Sequence, residues 1–159
     1  MASTEIDDNC NMQINAFSDY ALRILMYLMV NGDRLVTSRE IATSYDLSFD
    51  HIAKAAQFLS RHGYVSAIRG RSGGLQLSQR PTDISIGEVL RLTEAGSGLV
   101  ECMRAGPTHC KLANVCGLAP LLTEANEAFF QTLDQKTLAD AVPHAPALLN
   151  ALKPCSDNV

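Results

Sequence analysis

Apolar and polar residues in the first part of the chain follow a helical period. From Phe17 onward, apolar residues recur at Ala21 and Leu25, a spacing that places them on one face of a helix. Ser18 stands at the start of this stripe and is the candidate N-cap of the helix. The sequence Asn-Gly-Asp at 31–33 predicts that the helix ends there.

Two short helices joined by a tight turn are predicted next. Residues 37–40 read Thr-Ser-Arg-Glu, a capping box that begins a helix ending near Tyr45. After a three-residue turn, Ser48 is the candidate cap of a second helix that runs to about His62. The inward-facing residues of this second helix are predicted to be Ile52, Ala56 and Leu59. This arrangement is typical of a helix-turn-helix, whose second helix lies in the major groove of DNA.

A glycine-rich hairpin follows the second helix. Residues 64–69 and 75–78 have the composition of strands, and Gly-Arg-Ser-Gly-Gly at 70–74 forms the turn between them. Glycines permit a tight turn and let its tip approach another surface closely. The fold itself does not require Arg69 and Arg71 at such a tip. Their presence is explained if the hairpin is a wing that contacts DNA beside a recognition helix.

The second half of the chain contains one long amphipathic helix. Ser-Ile-Gly-Glu at 85–88 is another capping box and begins a helix to about Ala95, and Thr-Leu-Ala-Asp at 137–140 begins a short helix near the end. Between them, the apolar residues of 118–134 line one face of a helix: Leu121, Leu122, Ala125, Ala128, Phe129, Thr132 and Leu133. We expect this face to cover a second copy of the chain, since modules of this kind act as symmetric dimers. Docking on its own domain is the alternative.

Composition and charge narrow the class of protein. The chain has 159 residues, 47% of them hydrophobic and 19% charged, which is typical of a globular domain. No apolar run reaches the ~20 residues that span a bilayer, and the acidic start carries no signal core, so a cytoplasmic protein is expected. The net charge of −4 argues against a nucleic-acid partner, yet residues 49–80 hold five basic residues and one acid. That segment carries +4 and the remainder −8, so one face can attract phosphate.

These patterns together predict a mainly α fold with a small β-wing, a winged helix-turn-helix followed by a long dimerisation helix. Double-stranded DNA is the expected partner. The candidate contacts lie on the first helix of the motif, on the recognition helix and at the wing. They are Ser38, Arg39, Ser48, His51, Lys54, Arg69, Arg71, Ser72, Gly73 and Gly74.

Three cysteines close together predict a metal or redox site. Cys102, Cys110 and Cys116 are separated by seven and five residues in a stretch rich in Gly and Pro. Thiolates suit iron–sulfur clusters and zinc alike, and three of them leave a usual site one ligand short. We expect Cys10 and Cys155, which lie in the polar termini, to take no part.

Several chemistries remain open from these residues alone. Zinc held by the three cysteines and His109 would give a structural site in a regulator, and a thiol-based redox switch would need only the cysteines. A cysteine nucleophile is the weakest interpretation, because no paired base, oxyanion loop or phosphate-binding motif accompanies the thiols. We therefore do not expect an enzyme.

Four segments resemble a known family. They are Phe-Ser-Asp-Tyr-Ala-Leu-Arg at 17–23, Arg-Gly-Arg-Ser-Gly-Gly-Leu at 69–75, Ile-Gly-Glu-Val-Leu at 86–90, and the three-cysteine loop. Together they resemble the iron–sulfur winged-helix repressors that include the NsrR, IscR and RirA groups. The likeness extends over about residues 12–142. The extension before Met12 departs from the family. The division expected of the chain is a disordered extension (1–11), a winged helix-turn-helix domain (12–95), a cluster-binding loop (96–117), a dimerisation helix region (118–142) and a flexible tail (143–159).

The fourth ligand distinguishes the groups of this family. The IscR group has a histidine where this chain has Ala119, and the RirA group has an asparagine where it has Asp19. The resemblance is strongest to the nitric-oxide-sensing NsrR group, and it implies that Asp19 from the partner subunit completes an iron–sulfur site. A 4Fe–4S cluster is favoured and a 2Fe–2S cluster is the second choice. The function implied is repression released by nitric oxide; an iron or iron–sulfur status regulator of the RirA or IscR kind is the alternative.

Overall fold

The computed structural model describes residues 13–112 and 115–152, which form seven α-helices, two short 3-10 turns and one hairpin. The bounds are α1 Ala16–Val30, α2 Ser38–Ser44, α3 Phe49–Arg61, β1 Val65–Ile68, β2 Gly74–Leu77, α4 Ile86–Thr93, α5 Leu118–Asp134, α6 Leu138–Ala141 and α7 Ala145–Ala151. The mainly α fold with a β-wing is therefore confirmed. The extension at 1–11, which contains Cys10, lies outside the described residues. Cys155, near the other end of the chain, lies outside them as well.

The helix-turn-helix packs around α1, which supplies the largest part of the core. Fully buried side chains of α1, Ile24, Leu25 and Leu28, meet Ile52 and Leu59 of α3. The inward-facing stripe predicted for α3 is thus confirmed. Because the apolar residues of both helices recur at helical spacing, each helix presents one continuous face to the other.

The prediction that Ser18 caps α1 is wrong. Asn15 is the N-cap, and its side-chain oxygen accepts a hydrogen bond of 2.8 Å from the Ser18 backbone N–H. Ser18 is fully buried one turn inside the helix, where its hydroxyl lies 2.8 Å from the hydroxyl of Thr93. A short polar side chain can occupy this buried position because a partner distant in sequence satisfies it.

The caps of the motif are simpler than predicted. Thr37 caps α2 and accepts from the Glu40 backbone N–H at 3.1 Å, but the Glu40 side chain binds Arg34 and Tyr27 instead of returning to Thr37. Only half of the capping box is formed. Ser48 stands at the N-cap position of α3, yet its hydroxyl makes no capping hydrogen bond. That hydroxyl is exposed and available to another partner.

The wing is an antiparallel hairpin joined to the start of the motif. Val65 pairs with Leu77 at the open end of the ladder, and Leu75 exchanges backbone hydrogen bonds of 3.0 and 2.7 Å with Val36. A β-carbon at Gly74 would come within 3.0 Å of the Val36 backbone. Glycine at this position therefore allows β2 to lie against the segment that precedes α2.

Helix α5 has the predicted bounds and uses two different faces. One face docks on α4 of the same chain, where Phe130 is the buried residue of the helix. The other face carries most of the stripe expected to meet a second chain, and Leu118 and Leu121 on it are 56% and 63% exposed. The same helix thus packs on its own domain with one face and leaves an apolar face exposed to solvent with the other.

The segment after Pro143 departs from the predicted flexible tail. Residues Ala145–Ala151 form α7, with Pro146 in the first turn, and this helix lies against α1. Leu152 is partly buried against the core. Proline in a first helical turn leaves no hydrogen bond unmade, so the short helix forms where apolar contact with α1 is available.

Candidate DNA-reading surface and cysteine loop

The first turns of α3 form an exposed polar surface. Ser48, His51 and Lys54 are exposed, as is Asp50, whereas the opposite face of the helix is buried. The imidazole of His51 stacks on the ring of Tyr20 with centroids 5.6 Å apart and planes 13° from parallel. The start of the recognition helix therefore offers hydrogen-bonding groups, one carboxylate and one ammonium group, and this is the part of such a helix that contacts base edges.

Phe49, which the sequence pattern did not single out, belongs to this surface. It is 40% exposed at the first position of α3, and the guanidinium carbon of Arg39 lies 4.6 Å from the centre of its ring. The periodicity hides this residue because Phe49 is in phase with the buried Ile52 and would be assigned to the core. The signal available in the sequence was an aromatic residue directly after the cap.

The wing places its predicted residues at the outer end of the hairpin. Arg69, Arg71 and Ser72 are exposed. Within the described ranges, neither arginine forms an ion pair with a carboxylate. Gly70 has φ of +124°, a conformation that other residues rarely adopt, and a β-carbon at Gly73 would overlap the carbonyl oxygen of Ile68. The glycines therefore shape the turn that exposes the two guanidinium groups.

The three cysteines of the loop, unlike the residues of the wing and of α3, are not brought together into one surface or site. Cys102, Cys110 and Cys116 are free thiols of intermediate exposure. Across 13–112 and 115–152, no three side chains of His, Cys, Asp or Glu gather into a group that could hold a metal ion. His109, the fourth ligand of the zinc interpretation, is exposed, and its backbone N–H donates to the Glu101 carboxylate at 2.9 Å.

Asp19 lies on α1 beside a large open groove. Its carboxylate accepts a hydrogen bond of 2.8 Å from Arg23 one turn later, and the side chain stays 40% exposed. The groove has a volume of about 840 Å³. It is bounded by the start of α1, the first residues of the cysteine loop at 97–99, and the α5 residues Asn126, Glu127, Phe129 and Phe130. Asp19 therefore faces a space that adjoins the cysteine loop and α5.

A partly buried hydrogen-bond network ties α1 to the root of the cysteine loop. The Glu94 carboxylate accepts from the backbone N–H of Asn15 at 2.8 Å and from the hydroxyl of Ser18 at 2.5 Å. The Asn15 amide donates to the backbone carbonyl of Thr93 at 3.2 Å. Since the loop begins two residues after Glu94, this network fixes the distance between the helix that carries Asp19 and the start of the loop.

Arg91 clamps α5 onto α4. Its guanidinium donates to Glu127 at 2.7 Å and to Asp134 at 2.9 Å, and it lies 4.9 Å from the centre of the Phe130 ring. These hydrogen bonds raise the pKa of Arg91, and they lower the pKa of the Glu127 carboxyl. A planar guanidinium group that binds two carboxylates and lies over an aromatic ring has a defined orientation. These contacts therefore fix the orientation of α5 relative to α4.

None of the helices in the described part of the chain is long and apolar enough to cross a membrane.

Comparison with known proteins identifies the fold and the class. The profile of the Rrf2 family, described as iron-dependent transcriptional regulators, matches residues 14–144. The regulator NsrR of Bacillus licheniformis is 42% identical over 132 residues, which are 82% of this chain and 92% of that protein. The repressor NsrR of Streptomyces coelicolor is 39% identical over 142 residues, 87% of this chain and 95% of that protein.

The solved structures agree with this. The oxidized form of CymR from Staphylococcus aureus superimposes with a TM-score of 0.65 at 25% identity, covering 84% of this chain and 98% of that one. The chain therefore belongs to the Rrf2 family of transcriptional regulators, and it is a DNA-binding repressor of the NsrR type.

Proposed function

We propose that the protein is a cytoplasmic homodimer that represses transcription from operator DNA and senses nitric oxide through an iron–sulfur cluster. Cys102, Cys110 and Cys116 of one subunit and Asp19 of the other would hold the cluster. The observation that carries the proposal is the position of Asp19, which faces an open groove adjoining the cysteine loop and is not gathered with the cysteines of its own chain.

The open face of α5 supports the dimer. Leu118, Leu121 and the neighbouring small residues of this helix form an apolar stripe that the other described residues leave exposed. A second copy that packs along the stripe would remove it from water, and a two-fold axis would bring each Asp19 toward the other subunit's loop. The Arg91 clamp orients the helix for this contact before the subunits meet.

The donor set fits an iron–sulfur cluster. Three thiols that are free and partly exposed, in a loop without a buried side chain among its described residues, can be drawn together around a ligand at little cost to the core. Thiolates are the usual ligands of such clusters, and a carboxylate oxygen is a harder and more labile fourth ligand. When bound, the cluster supplies iron that reacts with nitric oxide.

The side chains around Asp19 suggest how a change there reaches DNA. When Asp19 is not a ligand, Arg23 is its partner within the same helix. Helix α1 carries Phe17 and Tyr20 on the side that meets α3, where they contact Phe58 and His51. A shift of α1 that follows the exchange of Asp19 partners would move the recognition helix, and the spacing of the two recognition helices sets operator affinity.

Anaerobic purification followed by an absorption spectrum and counts of iron and sulfide tests the cofactor. We expect about 4 irons and about 4 sulfides for each subunit that carries a 4Fe–4S cluster, and operator binding that falls as nitric oxide is added. A colourless protein with stoichiometric zinc, or a metal-free reduced protein with full DNA binding and no response to nitric oxide, would contradict the proposal.

The variant Asp19→Ala tests the fourth ligand. It should retain much of the cluster through the three cysteines while DNA release no longer follows nitric oxide addition. Asp33→Ala, which removes an exposed carboxylate from the turn after α1, is the matched control and should respond normally. Normal coupling in Asp19→Ala would exclude this residue as the sensing ligand.

A further inference from the structure

The first residue of the recognition helix presents an aromatic ring where DNA is expected. Phe49 lies directly after the N-cap of α3 and is 40% exposed, although the next apolar residues of the same stripe are buried. Its neighbours on the surface are polar: Ser48 and Asp50 are exposed, and Lys54 lies one turn further along. A single ring is thus surrounded by a hydroxyl, a carboxylate and an ammonium group; the ammonium group suits a phosphate, and the other two suit base edges.

Arg39 lies over one face of this ring. The guanidinium carbon lies 4.6 Å from the ring centre, a cation–π contact between α2 and α3. Across the described residues, Arg39 makes no ion pair with a carboxylate, so its N–H groups remain available to an anion. The stack limits the motion of both side chains, which reduces the entropy lost when they contact a ligand.

The chemistry of the major groove decides what such a ring can recognise. Base edges in that groove present hydrogen-bond donors and acceptors, and the C5-methyl group of thymine is their one apolar feature. A phenyl ring offers no hydrogen bond to a base and no charge to a phosphate. An exposed phenylalanine at the start of a recognition helix is therefore suited to thymine.

We propose that Phe49 is a specificity-determining residue that contacts the C5-methyl group of one thymine in each half-site, with Arg39 as the residue that positions its ring. The inference rests on the proposed operator binding through α3 and adds a base preference to it. Arg39, stacked on the ring, would at the same time donate to the adjacent phosphate backbone.

The experiment begins with cluster-loaded, anaerobic protein and a library of randomised DNA duplexes. The selected site should contain one invariant thymine in each half-site that the Phe49→Ala protein no longer selects. In the selected duplex, replacing that thymine by uracil removes only the methyl group. We expect wild-type affinity to fall about four-fold, the effect of losing one buried methyl group, and Phe49→Ala to bind both duplexes equally.

Controls separate this inference from a folding defect and from the proposed function itself. Leu92→Ala removes a side chain of similar exposure, 38%, from α4 and should keep the thymine preference. Arg39→Lys keeps the charge but loses the planar stack, so the preference should weaken while the salt dependence is retained.

Equal thymine and uracil binding by the wild type, or an unchanged preference in Phe49→Ala, would overturn the role of Phe49. An unchanged preference in Arg39→Lys would overturn the role of Arg39. A wild-type protein that selects no sequence at all would instead contradict operator binding. The ratio of affinities for the two duplexes does not depend on the folded fraction, so a purely structural role of Phe49 would leave it unchanged.

Discussion

The winged helix-turn-helix and the cysteine loop are built on opposite principles. Between α1 and α4, apolar side chains from nearly every element meet in one core, and glycines and caps define the turns. Between α4 and α5, no side chain of the described loop residues is buried, and the hydrogen bonds are short-range, such as that from Cys110 to Thr108 at 3.1 Å. The candidate DNA-reading surface is therefore formed by one chain alone, whereas the described residues of the loop have few contacts that define the shape of the loop.

Under the proposed function, this difference would give the two regions different parts in a switch. A preformed reading surface binds its site without reorganisation, so its affinity depends on how two copies are spaced. If the loop acquires its shape from a ligand and a second subunit, as proposed, it would change whenever either is lost. The network of Glu94 with Asn15 and Ser18 joins the two regions at the root of the loop.

The sharpest test of the contrast is a pair of truncations. Ile52→Ala in the buried face of α3 should lower the free energy of unfolding by about 2–5 kcal/mol, because it leaves a cavity in a close-packed core. Leu112→Ala in the cysteine loop, where the side chain is 59% exposed, should change it by less than about 0.5 kcal/mol. Urea denaturation of the metal-free protein measures both. A similar cost at the two positions would show that the loop has a core of its own.

A second test addresses the joint between the two regions. Gly87 in α4 lies so close to α5 that an added β-carbon would overlap the side chain and backbone of Asp134. Gly87→Ala should therefore destabilise the protein by about 1–3 kcal/mol, although alanine favours a helix. It should also loosen α5 and weaken self-association in sedimentation.

Gly32→Ala is the matched control for this variant. There the nearest atom, the carbonyl oxygen of Met29, would be 3.4 Å from the new β-carbon, and the turn has room for it. We expect a change below about 1 kcal/mol at this position. If Gly87→Ala is tolerated equally well, the close contact between Gly87 of α4 and Asp134 of α5 is not fixed in solution.

Local patterns predict the elements well and their partners poorly. The helix-turn-helix, the hairpin and the bounds of α5 follow from periodicity and turn residues within short windows. The error at Ser18 has a different origin, since its partner Thr93 is 75 residues away in sequence. Likewise Glu40 leaves its capping box because Arg34 and Tyr27 offer a charge and a hydroxyl that a four-residue motif does not contain.

The candidate site residues, like the elements, were predicted only as far as local sequence patterns reach. Basic residues between glycines identify the wing, because few structural roles compete for them. Phe49 was missed since its phase agrees with the core, and only the fold reveals that the helix start is open to solvent. Cys102, Cys110 and Cys116 predict a metal or redox site by their residue type and spacing, whereas the role of Asp19 rests on the resemblance. Their joint ligation stays a prediction, because the described residues of one chain do not gather them around a site.

A third prediction concerns the contact between α1 and the reading helix. Tyr20 stacks on His51 at 5.6 Å, next to the residue proposed to respond to the cluster. A double-mutant cycle with Tyr20→Leu and His51→Ala should give a coupling free energy of about 0.5–1.5 kcal/mol in denaturation experiments. Tyr20→Leu should also reduce the effect of nitric oxide on DNA binding. Strictly additive effects of the two substitutions on the free energy of unfolding would mean that the stacked rings of Tyr20 and His51 are not energetically coupled.

The smallest expected effect is a pH dependence within the reading region. Arg34 and Tyr27 donate to the Glu40 carboxylate at 3.0 and 3.1 Å, and the hydrogen bonds from Arg34 lower the pKa of Glu40. Because the folded pKa lies below the unfolded value, the stabilisation is present above about pH 4.3 and is lost as the pH falls through the folded pKa. The pair is one-third to one-half exposed, so solvent screening keeps its contribution below about 1 kcal/mol at pH 7.

Glu40→Gln should therefore be slightly less stable than wild type at pH 7, and the difference should close in acid. Thermal unfolding between pH 7 and 3 measures the gap, with Glu88→Gln, an exposed glutamate of α4, as the control that should show little gap at any pH. A gap that persists unchanged into acid would assign the contribution of Glu40 to the hydrogen bonds of the neutral side chain and not to its charge, since glutamine keeps the length and shape of glutamate. In that case the link between α1 and α2 would be as insensitive to protonation as the apolar core beneath it, and the contrast with the cysteine loop would be larger still.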